Sequence, residues 1–302
     1  MRNNKIQSTR NMRITNQCWR GIVFIALLLV SISLHAQVEV LSFNKRYVEC
    51  EDKWVAFKMN EDSTHTYGFI YIDEAAGLTF NYEGKFKLMP NNTLQVQKIE
   101  ETNMKFRLEP NNVKVAILPE TMYQDLQIDS IPEWLTYYKT NVNSIERLYK
   151  WGYLYNGWNE CHKALEFLLK AKSINANYEG LAVELAYSYN CLGDFNKALE
   201  ILEEAIKNNP TDSYINKEYI YTLVHNNDID KAIEQYEKSL KSKIKNTYHA
   251  ENCFNILGYY YKKKDVKNFD IWVKKIKKLP NDNELITKYI KGMEEEMKKN
   301  KK

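Results

Sequence analysis

Beyond residue 36, few side chains of the kinds that most often do chemistry are present: His65, His162, His225 and His249, and Cys50, Cys161, Cys191 and Cys253. A zinc site needs Cys and His at ligand spacing, and a thiol nucleophile needs a histidine base with an orienting partner. Neither pattern occurs, and no CxxC is present. The GxSxG, HExxH and Walker motifs and the dinucleotide-binding glycine pattern are absent as well. Only 10 glycines occur in 302 residues, which argues against a phosphate-cradling loop. Glu49, Glu51 and Asp52 flank Cys50 but lack the spacing of a calcium loop, so they read as a surface turn. His65 stands alone in what reads as a polar turn. These residues predict no enzyme, no cofactor and no metal. The competing reading is a carbohydrate-binding or hydrolytic strand-rich part whose active residues are scattered, with the rest of the chain as a docking arm.

The elements that carry these residues begin after an export signal. Residues 1–36 hold five basic residues and no acidic one. Within them "GIVFIALLLVSISL" (Gly21–Leu34) is an apolar run of 14 residues, against the roughly 20 that a spanning helix needs. "SLHAQ" follows, which predicts cleavage after Ala36 and places the remainder in the periplasm or outside a bacterial cell. An uncleaved anchor is the alternative. The formal charge of +4 for the whole chain falls to −1 without this leader (38 basic against 39 acidic residues), so nothing points to a nucleic-acid binder.

From Gln37 to Leu118 the apolar pattern has period two. "WVAFKM", "YGFIYID", "LTFNYEGKFKLM", "LQVQKI", "MKFRL" and "VKVAIL" predict strands, as does "VEVLSF" from Val38. Turn formers such as "NEDSTH" and "EPNN" separate them. No helical crossover of adequate length intervenes, so the pairing should be antiparallel, in a sandwich or open barrel. Residues 119–142, bracketed by Pro119 and Pro132, read as a connector with one short helix around "PEWLTYY".

The second half repeats itself. Gly152, Tyr155, Ala164 and Ala171 recur 34 residues later as Ala186, Tyr189, Ala198 and Ala205, then as Ile220, Leu223, Ala232 and Ser239. "WGYLY", "LAYSY" and "LGYYY" match at one offset, and "GDFNKALE" and "NDIDKAIE" at another; Pro210 ends a unit. This pattern resembles the tetratricopeptide repeat. Units are expected at 145–178, 179–212, 213–246 and 250–281, with a capping helix from about Asn283 to Lys299 and a basic tail. The fourth departs: Phe269 and Ile276 replace small residues, and its turn "KKKDVKN" reads as one residue short. The fold class is therefore α+β with two domains: an all-β sandwich or barrel-like domain over 37–118, a connector over 119–142, and an α-α superhelical solenoid over 143–281, followed by 282–302.

The resemblance implies a scaffold that binds a protein or peptide in the concave groove lined by the first helix of each pair. Its ninth position reads Tyr153, Tyr187, Tyr221 and, in the fourth unit, Tyr259. Its twelfth reads Asn156 and Asn190 before Val224 and Lys262; its fifth includes Lys217. Tyrosine offers a large, stiff contact surface with a polar tip, and asparagine can pair both groups of an extended backbone. Tyr153, Asn156, Tyr187, Asn190, Lys217, Tyr221 and Tyr259 are thus the candidate groove; packing of these tyrosines between helices is the competing account. Too few basic residues join Lys217 for capture of a C-terminal carboxylate. The repeat geometry also brings Cys161 near Cys191. Two small buried thiols are expected there, with a disulfide as the alternative. Residues 257–302 carry 14 Lys against 7 acidic residues. Most such runs are solvated faces, and the functional alternative is contact with an acidic partner or membrane surface that salt would weaken.

Overall fold

The computed structural model describes residues 41–90, 93–99, 104–241, 248–280 and 284–299. The expected leader and the first half of the strand expected from Val38 lie outside them. Among the described residues no helix is long and apolar enough to cross a membrane.

Strands β1 (Lys53–Ala56), β2 (His65–Asp73), β3 (Gly77–Leu88), β4 (Leu94–Lys98), β5 (Lys105–Arg107) and β6 (Ala116–Ile117) form one antiparallel sheet. Its order is β4-β3-β2-β1-β6, with β5 also pairing to β3. Alternation along the strands has two apolar destinations. Trp54, Ala56, Tyr67, Phe69, Tyr71 and Phe86 pack with Met122, Leu126 and Leu135 of the connector. Val55, Ile70, Ile72, Leu78 and Phe80 pack instead with Leu148, Trp151, Tyr155 and Leu168 of the helical half. The strand-rich part followed by helices stands as expected, but its second layer is not another sheet. The first helix pair supplies that layer, because its outer face is apolar and would otherwise meet water. The connector holds short 3₁₀ turns and α1 (Tyr123–Leu126) rather than a free linker.

The helical half contains α2 (Ile145–Gly157), α3 (Cys161–Ile174), α4 (Leu181–Cys191), α5 (Phe195–Asn208), α6 (Ser213–His225), α7 (Ile229–Lys241), α8 (His249–Lys262), α9 (Val266–Ile276) and α10 (Glu284–Lys299). Side chains of Ser144, Asp194, Asp212 and Asp265 accept from backbone N–H groups at the starts of α2, α5, α6 and α9. Each pair turns over three residues, the middle one left-handed: Asn159, Gly193, Asn227 and Lys264. Ala164, Ala198 and Ala232 are fully buried where the second helices approach the first, and Phe269 takes that place in the fourth pair.

Helices α3, α5 and α7 start 34 residues apart, and α9 starts 37 after α7. The left-handed turn residues keep the same steps. This corrects two expectations. The fourth turn is not short, and Gly258, rather than Tyr259, is in register with Tyr221. The extra residues fall between the end of α7 and the start of α8, which moves the fourth unit's tyrosines one place out of register.

Cys161 and Cys191 form a disulfide with a Cα–Cα distance of 6.3 Å, where two thiols were expected. Cys161 opens α3 and Cys191 closes α4, and antiparallel packing sets those ends side by side. Cys50 and Cys253 stay free and buried, and burial pushes both thiols up to about 12.

Candidate functional site

Two places gather polar side chains with function in view: the junction of sheet and solenoid, and the face built by the first helices of the pairs.

At the junction, Glu51 is not part of a surface turn. Its carboxylate, 13% exposed, accepts from Trp151 Nε1 at 3.3 Å, from Lys163 Nζ at 2.9 Å and from the Tyr155 hydroxyl. Burial pushes this carboxyl up, but the bonds from Tyr155 and Lys163 outweigh it and hold it below the ordinary carboxylate range. Lys139 meets both Glu51, at 3.6 Å, and Asp52, at 2.7 Å. Arg46 pairs with Glu160 across the same seam. These charges lock the sheet onto α2 and α3. His65, expected in a polar turn, is buried with Nδ1 2.8 Å from the Phe57 carbonyl and its ring stacked on Phe43. It serves the sheet core. Among the described residues no group of three His, Cys, Asp or Glu side chains could hold a metal ion.

On the helical face the predicted residues divide. Asn156 and Asn190 are buried and bonded already, which corrects their assignment to an open groove. Asn156 Nδ2 donates to the Glu184 carboxylate at 2.8 Å and to the Glu184 carbonyl at 3.0 Å, while Ser188 donates to its Oδ1 at 2.7 Å. The motif repeats one unit on. Asn190 Nδ2 donates to Glu218 at 3.1 Å, and Thr222 donates to Asn190 Oδ1 at 3.0 Å. Each asparagine satisfies a buried carboxylate of the next unit, so the ladder fixes helix-to-helix register. Two acidic residues 34 apart on a face otherwise buried were the sequence signal for it.

Tyr153 is the open tyrosine, at 51% exposure. Tyr187 and Tyr221 are half-buried, and burial raises both phenols. The Tyr221 ring lies 4.1 Å from that of His225, which Phe195 covers from another side. Tyr259 lines a separate hollow of about 390 Å³ with His225, Asn255 and Lys262. Lys217 is largely buried, 3.0 Å from Glu218 and 3.6 Å from Glu251. Burial pulls its ammonium down, but the two carboxylates outweigh that and raise it above the ordinary lysine value.

Tyr153 and Lys217 meet in the larger feature, a cleft of about 810 Å³ that also takes in Tyr149, Tyr178, Tyr214 and Glu184. Apart from Tyr153 and Lys217, these residues were not among the candidates. Tyr178 and Tyr214 sit in inter-pair turns or at a helix start, outside the inner positions of the repeat. The Tyr149 hydroxyl lies where a Cβ on Gly180 would stand, and Gly180 adopts a φ of +78°, so glycine is required there twice over. The cleft offers ring faces, phenol hydroxyls and carboxylates. Its described lining residues include no nucleophile paired with a base.

The tetratricopeptide repeat family model matches residues 181–212, the span of α4 and α5 with their flanking turns. No curated protein matches the chain. Among solved structures, a thermophilic tetratricopeptide-repeat protein of Thermus thermophilus is similar, at 16% identity over 51% of this chain and 84% of that one, with a TM-score of 0.43. A tetratricopeptide repeat protein from Parabacteroides merdae ATCC 43184 is similar at 16% identity over 57% and 62%, with a TM-score of 0.41. MamA AMB-1 is similar at 15% identity over 45% and 79%, with a TM-score of 0.38. The family match makes α4 and α5 a tetratricopeptide repeat, and the neighbouring pairs repeat its turn, small-residue contact and polar ladder behind a strand-rich N-terminal part.

Proposed function

We propose that this chain is an exported, non-catalytic scaffold that holds an extended segment of a partner protein against the first-helix face of its repeats. The observation that carries this reading is the tyrosine-lined cleft of about 810 Å³ between the first helices of the first three pairs. Tyrosine covers much surface at little cost in rotamer entropy, which suits a binding face. The rigid seam at Glu51 supports a scaffold rather than a hinge: the sheet caps one end of the array and holds its first pair in place. The Cys161–Cys191 bridge supports export, because disulfides persist in oxidising compartments. The leader-like segment before Gln37 points the same way.

Photo-crosslinking from benzoylphenylalanine placed at Tyr153 or Tyr221 tests the face, with Leu169, exposed on a second helix, as the control site. One partner species labelled from both tyrosine sites and not from Leu169 is expected. Labelling from Leu169 alone, or from none of the three in envelope extract, would move function away from this face.

A further inference from the structure

The cleft's charges say what kind of side chain it receives, given that the groove reading above holds. Lys217 is the internal example. Its ammonium stands between the carboxylates of Glu218 and Glu251 and above the rings of Tyr214, at 4.9 Å, and Tyr248, at 5.2 Å. One unit earlier the carboxylate recurs without a lysine of its own, and Lys217 stands at the far side of the same cleft. Glu184 occupies the position of Glu218, but Val183 occupies that of Lys217. Glu184 is 2% exposed, and its carboxylate is met by neutral donors: Asn156 at 2.8 Å and the Tyr214 hydroxyl at 3.3 Å. Burial pushes its carboxyl up, and those two bonds offset this only in part. Aromatic faces are in place beside it, with the rings of Tyr149 and Tyr178 5.2 Å apart and Tyr153 open to solvent. Glu179 stands at the rim. Asp212 is committed elsewhere, accepting from the Tyr214 and Ile215 backbone at 2.8 and 2.9 Å.

We propose that the Val183 end of this cleft binds a lysine or arginine side chain of the partner segment, held against the ring faces of Tyr149, Tyr153 and Tyr178 on the side of Glu179 and Glu184. A cation over aromatic rings is favourable by about 0.5–2 kcal/mol, more as water is excluded, and the carboxylates add to it. The same carboxylates repel an acidic segment, so the site selects against carboxylate ligands by charge. Val183, 5% exposed, puts no charge there.

The full chain with ¹³C-labelled tyrosine tests this by NMR, using Nα-acetyl-lysine methylamide and Nα-acetyl-arginine methylamide as probes. The Nε-acetylated lysine and the glutamate methylamide are the controls. The cationic amides are expected to shift the Tyr149, Tyr153 and Tyr178 resonances at millimolar concentration, and the controls are not. Val183→Lys, which supplies an internal ammonium, is expected to weaken the response at least fivefold. The rim variant Glu179→Gln, at an exposed position, is expected to weaken it about threefold; the two losses correspond to about 1 kcal/mol or more and about 0.6 kcal/mol. Equal response to the neutral analogue, preference for glutamate, or silence of all three tyrosines would overturn the proposal. Crosslinking from Tyr153 separates the two readings: a partner captured there while the cationic amides fail leaves the groove standing and removes the cation site.

Discussion

The seams between the first three helix pairs and the seam that closes the array use different chemistry. Between α2, α4 and α6 the contact runs through buried Asn156–Glu184–Ser188 and Asn190–Glu218–Thr222 bonds, with alanines where the second helices approach. A disulfide ties α3 to α4. Around α8, α9 and α10 apolar contacts take over among the described residues. Phe269, Trp272, Ile276, Ile290 and Met297 fill the space, and Phe269 stands where the earlier pairs have alanine. Polar ladders specify alignment, since a slipped register strands a buried carboxylate; apolar contacts add stability with less directional demand. The front of the array, which carries the cleft, is built for fixed geometry. The back is built as a plug.

Truncating Phe269 to Ala should produce the largest effect, a loss of about 3–5 kcal/mol in urea unfolding, because a fully buried ring has no small-residue alternative in that seam. A loss near zero would mean the back seam is loosely packed. Replacing both Cys161 and Cys191 by Ser should cost about 3.5 kcal/mol, from the closure entropy of a loop with sequence separation 30; unfolding with and without reductant measures it. Asn156→Ala should cost about 2–3 kcal/mol by leaving the Glu184 carboxylate buried with one donor fewer, and Asn190→Ala should cost less, because Lys217 still stands 3.0 Å from Glu218. Equal losses from the two would erase the distinction between a ladder rung with a cation and one without.

Smaller effects sharpen the same contrast. Lys264 is the one turn residue of the four with a left-handed backbone that is neither Asn nor Gly. Lys264→Gly should stabilise the back of the array by about 0.5–1 kcal/mol. His225, between Phe195 and Tyr221, has its pKa lowered by burial first and by Lys262 second. Its folded pKa thus lies below its unfolded value near 6.5, so its contribution is complete above pH 6.5 and is lost as pH falls through the folded pKa. Melting temperatures from pH 7.5 downward should fall less steeply in His225→Phe than in the parent chain. The reverse order would place the acid-sensitive group elsewhere.

The repeat architecture was readable because each helix pair must solve one packing problem again, and the solution leaves alanines and aromatics at a fixed spacing. Antiparallel strands were readable from alternation, and the two-sided coverage of the sheet was not. "HTYGFIYID" is buried along nearly its whole length, and what covers each face comes from segments far away in sequence. The candidate residues divide in the structure. Tyr153 and Lys217 do line the cleft, whereas Asn156 and Asn190 face the neighbouring helix, because an amide beside a buried carboxylate is worth more there than in solvent.

Local and periodic facts belonged to the sequence alone: helix pairs on a 34-residue period, alanines at the crossings of the first three pairs, strands broken by turn formers. Pairing facts needed the tertiary structure. The repeat brought Cys161 near Cys191 and the structure decided that they are joined; the seat of Glu51 among Trp151, Tyr155 and Lys163, and the meeting of Tyr149, Tyr178 and Glu184, join side chains whose separation along the chain carries no signal. Hydrogen bonds and ion pairs act over a few ångströms, so which groups meet is settled only when distant elements have packed.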